Sequence, residues 1–239
     1  MNVKLRAIHT EDKEKRRHAI LDATERLLLA HSQRVASVDE VAAEAGLAKG
    51  TVYLYFPSKE ELLLALHERQ TQTYFTALLD MLARKKQVTV DDMLAVVRLY
   101  IVQPPCFLPL ASLCFGLMEK SVPIEAAGAF KARTVQWLER SSRSLERHFP
   151  SLAKGQGVTF LIHSYALIVG LWQILHPSPV RDAILQRPDL AMIDRDYATE
   201  VEVALRALWQ GHLGSPVDIP VPRPKAIVKR VKRTIRKKS

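Results

Sequence analysis

Only two cysteines occur in the 239 residues, so no disulfide framework can hold the chain together and no C-x-x-C pair offers a zinc or dithiol site. Cys106 and Cys114, if carried on one helix, stand about 12 Å apart along its axis, beyond disulfide reach, which leaves them as reduced core thiols. The eight histidines never fall three or four apart, and no H-E-x-x-H is present, so a metal held on one helix face is unsupported. Glycine is scarce as well. Gly155 and Gly157 form a G-x-G, but Phe160 stands where a dinucleotide fingerprint needs its third glycine, and neither a Walker lysine nor a G-x-S-x-G elbow exists. The expectation is a protein that is not an enzyme and carries no metal and no cofactor.

Long apolar runs are also missing. The longest, Tyr165 to Trp172, is bounded by Ser164 and Gln173 and falls well short of a bilayer span, so a membrane partner is not expected. The segment Met-Asn-Val-Lys-Leu-Arg lacks the apolar core of a secretory signal, which makes the cytoplasm the expected location. Acid is absent from the last 17 residues, where nine of the 35 basic side chains lie. Those nine account for all but one of the formal net charge of +10, so the body of the chain is nearly neutral.

Against these absences, helix signals are dense and strand signals almost nil. Ser37 followed by Glu40 is a capping box, and Val38, Val41, Ala42 and Ala45 form one apolar helical stripe. Gly46 ends that short helix and Leu47 plugs the turn. A second helix restarts near Lys49 and ends at Pro57, and Ser58 with Glu61 opens a third, much longer one. At about 100° per residue, Val52 and Phe56 share the core face of the second helix, while Gly50 and Leu54 point the opposite way, flanked by Thr51 and Tyr53. A glycine there costs about 1 kcal/mol against alanine, so its backbone is expected to come close to something. A thymine methyl suits Leu54, and the hydroxyls of Thr51, Tyr53 and Tyr55 with the Lys59 ammonium suit phosphate oxygens.

The run Ala-Gly-Leu-Ala-Lys-Gly-Thr-Val-Tyr-Leu-Tyr-Phe-Pro-Ser-Lys-Glu-Glu-Leu, with the stripe Ile20, Ala23 and Leu27 before it, resembles the TetR family of transcriptional regulators over about residues 15 to 66. The resemblance implies an all-α fold of about nine helices. It also implies operator contacts from the residues matching Lys49, Gly50, Thr51, Tyr53 and Tyr55, and a phosphate held by Lys59; Leu54 and Ser37 complete the candidate DNA-binding set. Ala48 replaces the family's usual capping hydroxyl, and Gln33 and Arg34 occupy a turn that usually carries glycine. The expected role is that of a dimeric repressor, released from a palindromic double-stranded DNA operator by a small-molecule effector. A non-sensing DNA-binding or architectural protein with a basic tail is the alternative.

The expected organisation is an N-terminal arm (1–14), a helix-turn-helix domain (15–60), a helical effector-binding and dimerisation domain (61–214) and a Pro-rich linker with a basic tail (215–239). Further helices are read at 58–84, 90–102, 107–118, 124–148, 158–176 and 190–212. The segment Val158 to His176 is apolar nearly all round and must be covered on several sides, most economically by a second copy. Phe107, Met118, Trp137, His163 and Trp172 are candidate walls of an effector pocket, because such a pocket needs large apolar surfaces and a few polar groups. Phe115 has the same standing.

Pro216, Pro220, Pro222 and Pro224 favour an extended linker, and beyond it Ile227, Val231 and Ile235 recur every four residues among the basic side chains. Such a segment reads equally as a disordered solubilising tail or as one that suits a phosphate backbone or an anionic membrane surface. Deleting residues 223–239 is expected to preserve operator sequence preference, lower DNA affinity and make the logarithmic salt dependence shallower, since fewer counterions are released. Binding of full-length and truncated protein to operator and random DNA across salt concentrations checks this; equal slopes would remove the tail from DNA binding.

Overall fold

Side-chain caps open α-helices repeatedly in this computed structural model, which describes residues 2–30 and 35–213, without the side chains of 2–10, 118 and 119. Gln33, Arg34 and the linker and tail at 215–239 therefore lie outside the described residues. The helices are α1 (Asn2–Ala30), α2 (Val38–Glu44), α3 (Lys49–Tyr55), α4 (Lys59–Arg84), α5 (Val90–Val97), α6 (Phe107–Lys120), α7 (Ile124–His148), α8 (Gln156–Leu175), α9 (Pro179–Ile184) and α10 (Tyr197–Leu213). No strand occurs among the described residues. The Ser37 and Glu40 side chains cap each other's backbone at the start of α2, and Ser58 accepts the Glu61 N–H at 3.1 Å at the start of α4. Gly46 takes φ of 66° past the end of α2. Its N–H reaches the Ala43 carbonyl and the Leu47 N–H reaches Ala42, the two bonds of a Schellman ending.

Among the described residues ten α-helices stand where about nine were expected, and the differences have local causes. A π-helical turn, Arg98–Val102, continues α5. The helix expected over 190–212 is divided: Pro188–Ile193 is a 3-10 segment, and Asp196 accepts the Thr199 N–H at 2.8 Å, capping a fresh start at Tyr197. The extra helix α9 begins with Ser178 as cap and Pro179 in the first turn, a start signal present in the sequence. Helix α1 runs through the residues set apart as an arm.

Two apolar clusters form, and α4 belongs to both. Its N-terminal half supplies Leu62, Leu63 and Leu66 to a cluster with Ile20, Leu21, Val41, Val52 and Phe56. Its C-terminal half supplies Phe75, Leu78 and Leu82 to a larger cluster with Leu94, Phe107, Phe160, Leu205 and Trp209. Each buried leucine contributes roughly 1.5–3 kcal/mol, so a shift of α4 disturbs both clusters together. Arg69 of α4 also pairs with Asp22 and Glu25 of α1, and Glu68 with Arg133 of α7. Cys106 and Cys114 are free and buried; burial pushes their thiols up to about 11 and about 12, far from thiolate reactivity.

Helix α8 is long and apolar enough to cross a membrane by length and composition. Here it packs against α6, α7 and α10. Its N-terminus explains the G-x-G. Gly155 takes φ of 89°, which a side chain would strain. The Glu146 carboxylate on α7 accepts the N–H groups of Gly155 at 2.8 Å and Gly157 at 3.1 Å, and the Ser142 hydroxyl at 2.8 Å. A Cβ on Gly157 would sit 2.6 Å from Ser142 Oγ and 2.9 Å from that residue's Cα and carbonyl oxygen. Gly157→Ala is therefore expected to destabilise by about 1–3 kcal/mol through forced separation of α7 and α8. Glu146→Ala should cost a similar amount by orphaning buried amides. Urea unfolding of each variant checks both, with Gly128→Ala, where a Cβ meets nothing within 4 Å, as control.

Candidate functional site

The outward face of α3 is built by what its inward face buries. Val52 and Phe56 are 1% and 4% exposed within the N-terminal cluster, and the Arg17 guanidinium lies 5.3 Å from the Phe56 ring centre. That orientation leaves Leu54 81% exposed and Tyr53 42% exposed. Gly50 lies on the same exposed side, and a Cβ there would meet nothing within 4 Å. No packing inside the molecule asks for that glycine, although it weakens the helix. Ala48 caps α3 through its backbone alone, with no side-chain hydrogen bond.

The remaining candidates are less free. Lys49 pairs with Asp39 of α2 at 2.7 Å, and this hydrogen bond, with the Asp39 charge, raises the ammonium's pKa. The Lys59 ammonium donates to the Val35 carbonyl at 3.3 Å, fastening the start of α4 to the segment before α2. Ser37 is exposed, yet its hydroxyl serves the α2 cap. Thr51 is half-buried, and the Tyr55 ring packs against the N-terminal cluster. Gly50, Tyr53 and Leu54 thus form the open centre of the face, with Lys49 at its edge.

A second feature lies where the two clusters meet, a cavity of about 140 Å³. Helix α4 lines it with His67, Thr71, Tyr74 and Phe75, α6 with Phe107, Cys114 and Phe115, α7 with Phe130, Lys131 and Thr134, and α8 with Ile162, Ser164, Tyr165 and Ile168. His67 is 4% exposed; burial, then the Lys131 charge, lower its pKa to about 4, so the imidazole is neutral near pH 7. Its Nε2 is 3.5 Å from the Tyr165 hydroxyl, and its buried Nδ1 has no partner. A buried polar atom left in that state costs about 1–3 kcal/mol.

Of the five residues anticipated for a pocket, Phe107 lines this cavity, as does Phe115. Trp137 instead stacks on Phe75 with ring centres 6.2 Å apart, under the Arg140 guanidinium. His163 is exposed and faces His212 at 6.1 Å, and Trp172 packs between His176 and Tyr197. The Met118 side chain lies outside the described residues. The sequence reading missed His67, Tyr165 and Lys131. A signal existed for the first, because His67 follows Leu63 by one helical turn on a stripe that must be buried.

Comparison with known proteins covers both halves of the chain. Residues 20–66 match the model described as bacterial regulatory proteins, tetR family, and residues 68–216 match the tetracyclin repressor-like C-terminal domain. Among curated relatives, the fatty acid metabolism regulator protein of Bacillus subtilis (strain 168) is 30% identical over 78 residues, 33% of this chain and 39% of that protein. The HTH-type transcriptional regulator EthR of Mycolicibacterium smegmatis is 47% identical over 51 residues, 21% of this chain and 24% of that protein. The chain thus spans well under half the length of these relatives. Among solved structures, SmeT, the repressor of the Stenotrophomonas maltophilia multidrug efflux pump SmeDEF, aligns with a TM-score of 0.50 at 22% identity, over 87% of this chain and 96% of that one. FadR, a fatty acid degradation regulator from Bacillus halodurans, aligns with a TM-score of 0.50 at 16% identity, over 80% and 93%. These likenesses concern the fold. With both domain models matched in order across residues 20–216, the chain belongs to the TetR family of bacterial regulatory proteins.

Proposed function

We propose that the protein is a sequence-specific, dimeric DNA-binding transcriptional repressor of the cytoplasm that a small molecule releases from its operator. The observation that carries this reading is the open centre of α3, where Gly50 has no internal reason to lack a side chain and Leu54 is turned into solvent. A backbone that can approach a groove closely, beside a large apolar side chain, suits base-edge contact. Ser37, Lys49, Thr51, Tyr53, Tyr55 and Lys59 would then position the helix on phosphates. The relatives named as regulators and repressors support the same reading. The cavity, with its unpartnered His67 nitrogen, favours a ligand-released repressor over a constitutive binder.

The division of labour on α3 is open to test. Leu54→Ala is expected to cost about 1 kcal/mol or more and relax preference at one position per half-site, whereas Tyr53→Ala and Lys59→Ala should weaken all sequences alike and lower the salt slope. Competition footprinting at several salt concentrations separates the two patterns. An unchanged sequence preference in Leu54→Ala would sink the orientation of α3 as the reading face.

The dimer reading rests on faces of α8 and α10 that nothing among the described residues covers. Ala166, Gly170 and Ile174 form an exposed row at four-residue spacing on α8, and Val203, Ala207 and Gly211 form another on α10. A Cβ on Gly170 or Gly211 would meet nothing within 4 Å. Small residues let helices of a second copy approach closely, and two reading heads then sit about 34–36 Å apart, or a multiple, on a pseudo-palindrome. Gly170→Glu is expected to give monomers with native helicity. Sedimentation of wild type and variant at micromolar concentration measures it, and a monomeric wild type would refute the dimer.

A further inference from the structure

The chemistry of the cavity wall narrows what can fill it. The wall is largely aromatic, with the Tyr74, Phe75, Phe107, Phe115, Phe130 and Tyr165 rings, and no aspartate or glutamate among the described residues lines it. An organic cation would find no counter-charge there. Among the described residues the one ionic side chain on the wall is Lys131, exposed at the rim, its ammonium 6.0 Å from the Phe115 ring centre and 5.8 Å from that of Phe130. Two residues along, Arg133 is matched by Glu68, but Lys131 has no carboxylate partner among the described residues.

Several polar groups inside are already committed. Thr134 donates to the Phe130 carbonyl at 3.0 Å, and Ser164 donates to Phe160 at 2.7 Å while accepting the Trp209 indole N–H at 2.7 Å. The Cys114 thiol points to the Leu63 carbonyl at 3.9 Å. His67 is different. When Tyr165 donates to Nε2, the proton of the neutral imidazole sits on Nδ1, a buried donor with nothing to bond. The His67 ring centre is 6.2 Å from that of Phe130, the ring over which Lys131 is also held. An acceptor is therefore wanted beside Phe130, and a cation stands at the same ring.

We propose that this cavity binds a compact monocarboxylate with an aromatic or branched apolar body, the body among the rings and the carboxylate beside Phe130, taken by Lys131 and the His67 N–H. The size fits a single ring rather than a long chain, since an apolar cavity of roughly 150 Å³ admits benzene. A carboxylate accepts from both unmet groups and neutralises the Lys131 charge, whereas an amide carbonyl accepts without neutralising it and an ammonium accepts from neither. The regulatory consequence rests on the DNA-binding role proposed above, but occupancy of the cavity does not.

The test uses full-length protein at neutral pH without DNA, titrated calorimetrically with benzoate, benzamide and benzylamine. The acid should bind at least about tenfold more tightly than the amide, the worth of one charge-assisted hydrogen bond, and the amine should not bind. Lys131→Gln, at an exposed position, should bring acid and amide to about the same affinity and leave the amide unchanged, while His67→Phe should weaken both. Equal binding of acid and amide by the wild type, preference for the amine, a preference that survives Lys131→Gln, or no binding of any probe would each overturn the proposal. Operator binding by the unliganded protein, measured in parallel, shows separately whether the DNA-binding role fails.

Discussion

The burial of α4 in two apolar clusters is the constraint on which the rest of the molecule depends. Leu62, Leu63 and Leu66 fix its first turns against α1 and the helix-turn-helix, and Phe75, Leu78 and Leu82 fix its last turns in the larger bundle. One rigid rod serves both, so neither cluster can repack without the other responding. Polar contacts reinforce it on both sides, through Arg69 to α1 and Glu68 to α7. Exposed pairs of this kind add little stability, but they oppose rotation of α4 about its axis.

The cavity lies against the middle of that rod. His67 and Thr71 are about 12 and 18 Å along the axis from Lys59 at its start. A molecule that fills the space beside them bears on the helix carrying the reading head. In the proposed role, any ligand that favours one placement of α4 over another must alter the affinity for DNA, and DNA must alter the affinity for the ligand by the same factor. The buried His67 Nδ1 meets no partner among the described residues, so a bound acceptor would pair it.

How much of this was legible in the sequence follows from how local each feature is. The capping boxes, the Gly46 ending and the orientation of Val52 against Leu54 depend on residues within one or two turns, and periodicity alone located them. The break at Asp196 was equally local, a capping aspartate before Tyr197, but the apolar spacing across 190–212 outweighed it. The cavity was not legible, because its wall comes from four α-helices and the π-helical turn after α5, and side-chain size gives no hint of which bulky residues meet. Trp137 and Trp172 are large enough to line a pocket, yet each found another ring to pack on. Gly157 was readable only as a failed nucleotide motif, since its cause is the backbone of Ser142 on another helix.

Electrostatics set the terms on which this reading head would meet DNA. Outside the last 17 residues the chain is nearly neutral, so long-range attraction to phosphates must come largely from residues 223–239. Within the helix-turn-helix, Lys49 is already paired with Asp39, and Lys59 already donates to Val35. Contact with a phosphate would exchange one partner for another, and the exchange gains less than a free lysine would. The Asp39 carboxylate released in that exchange would also remain near the duplex and repel it. Both effects would lower affinity for every sequence equally, while the contacts proposed for Gly50 and Leu54 with base edges would vary with sequence. Weak general binding leaves the apolar and close-approach contacts of α3 a larger share of the total, and a dimer that doubles those contacts turns the small difference at one half-site into discrimination over a whole operator.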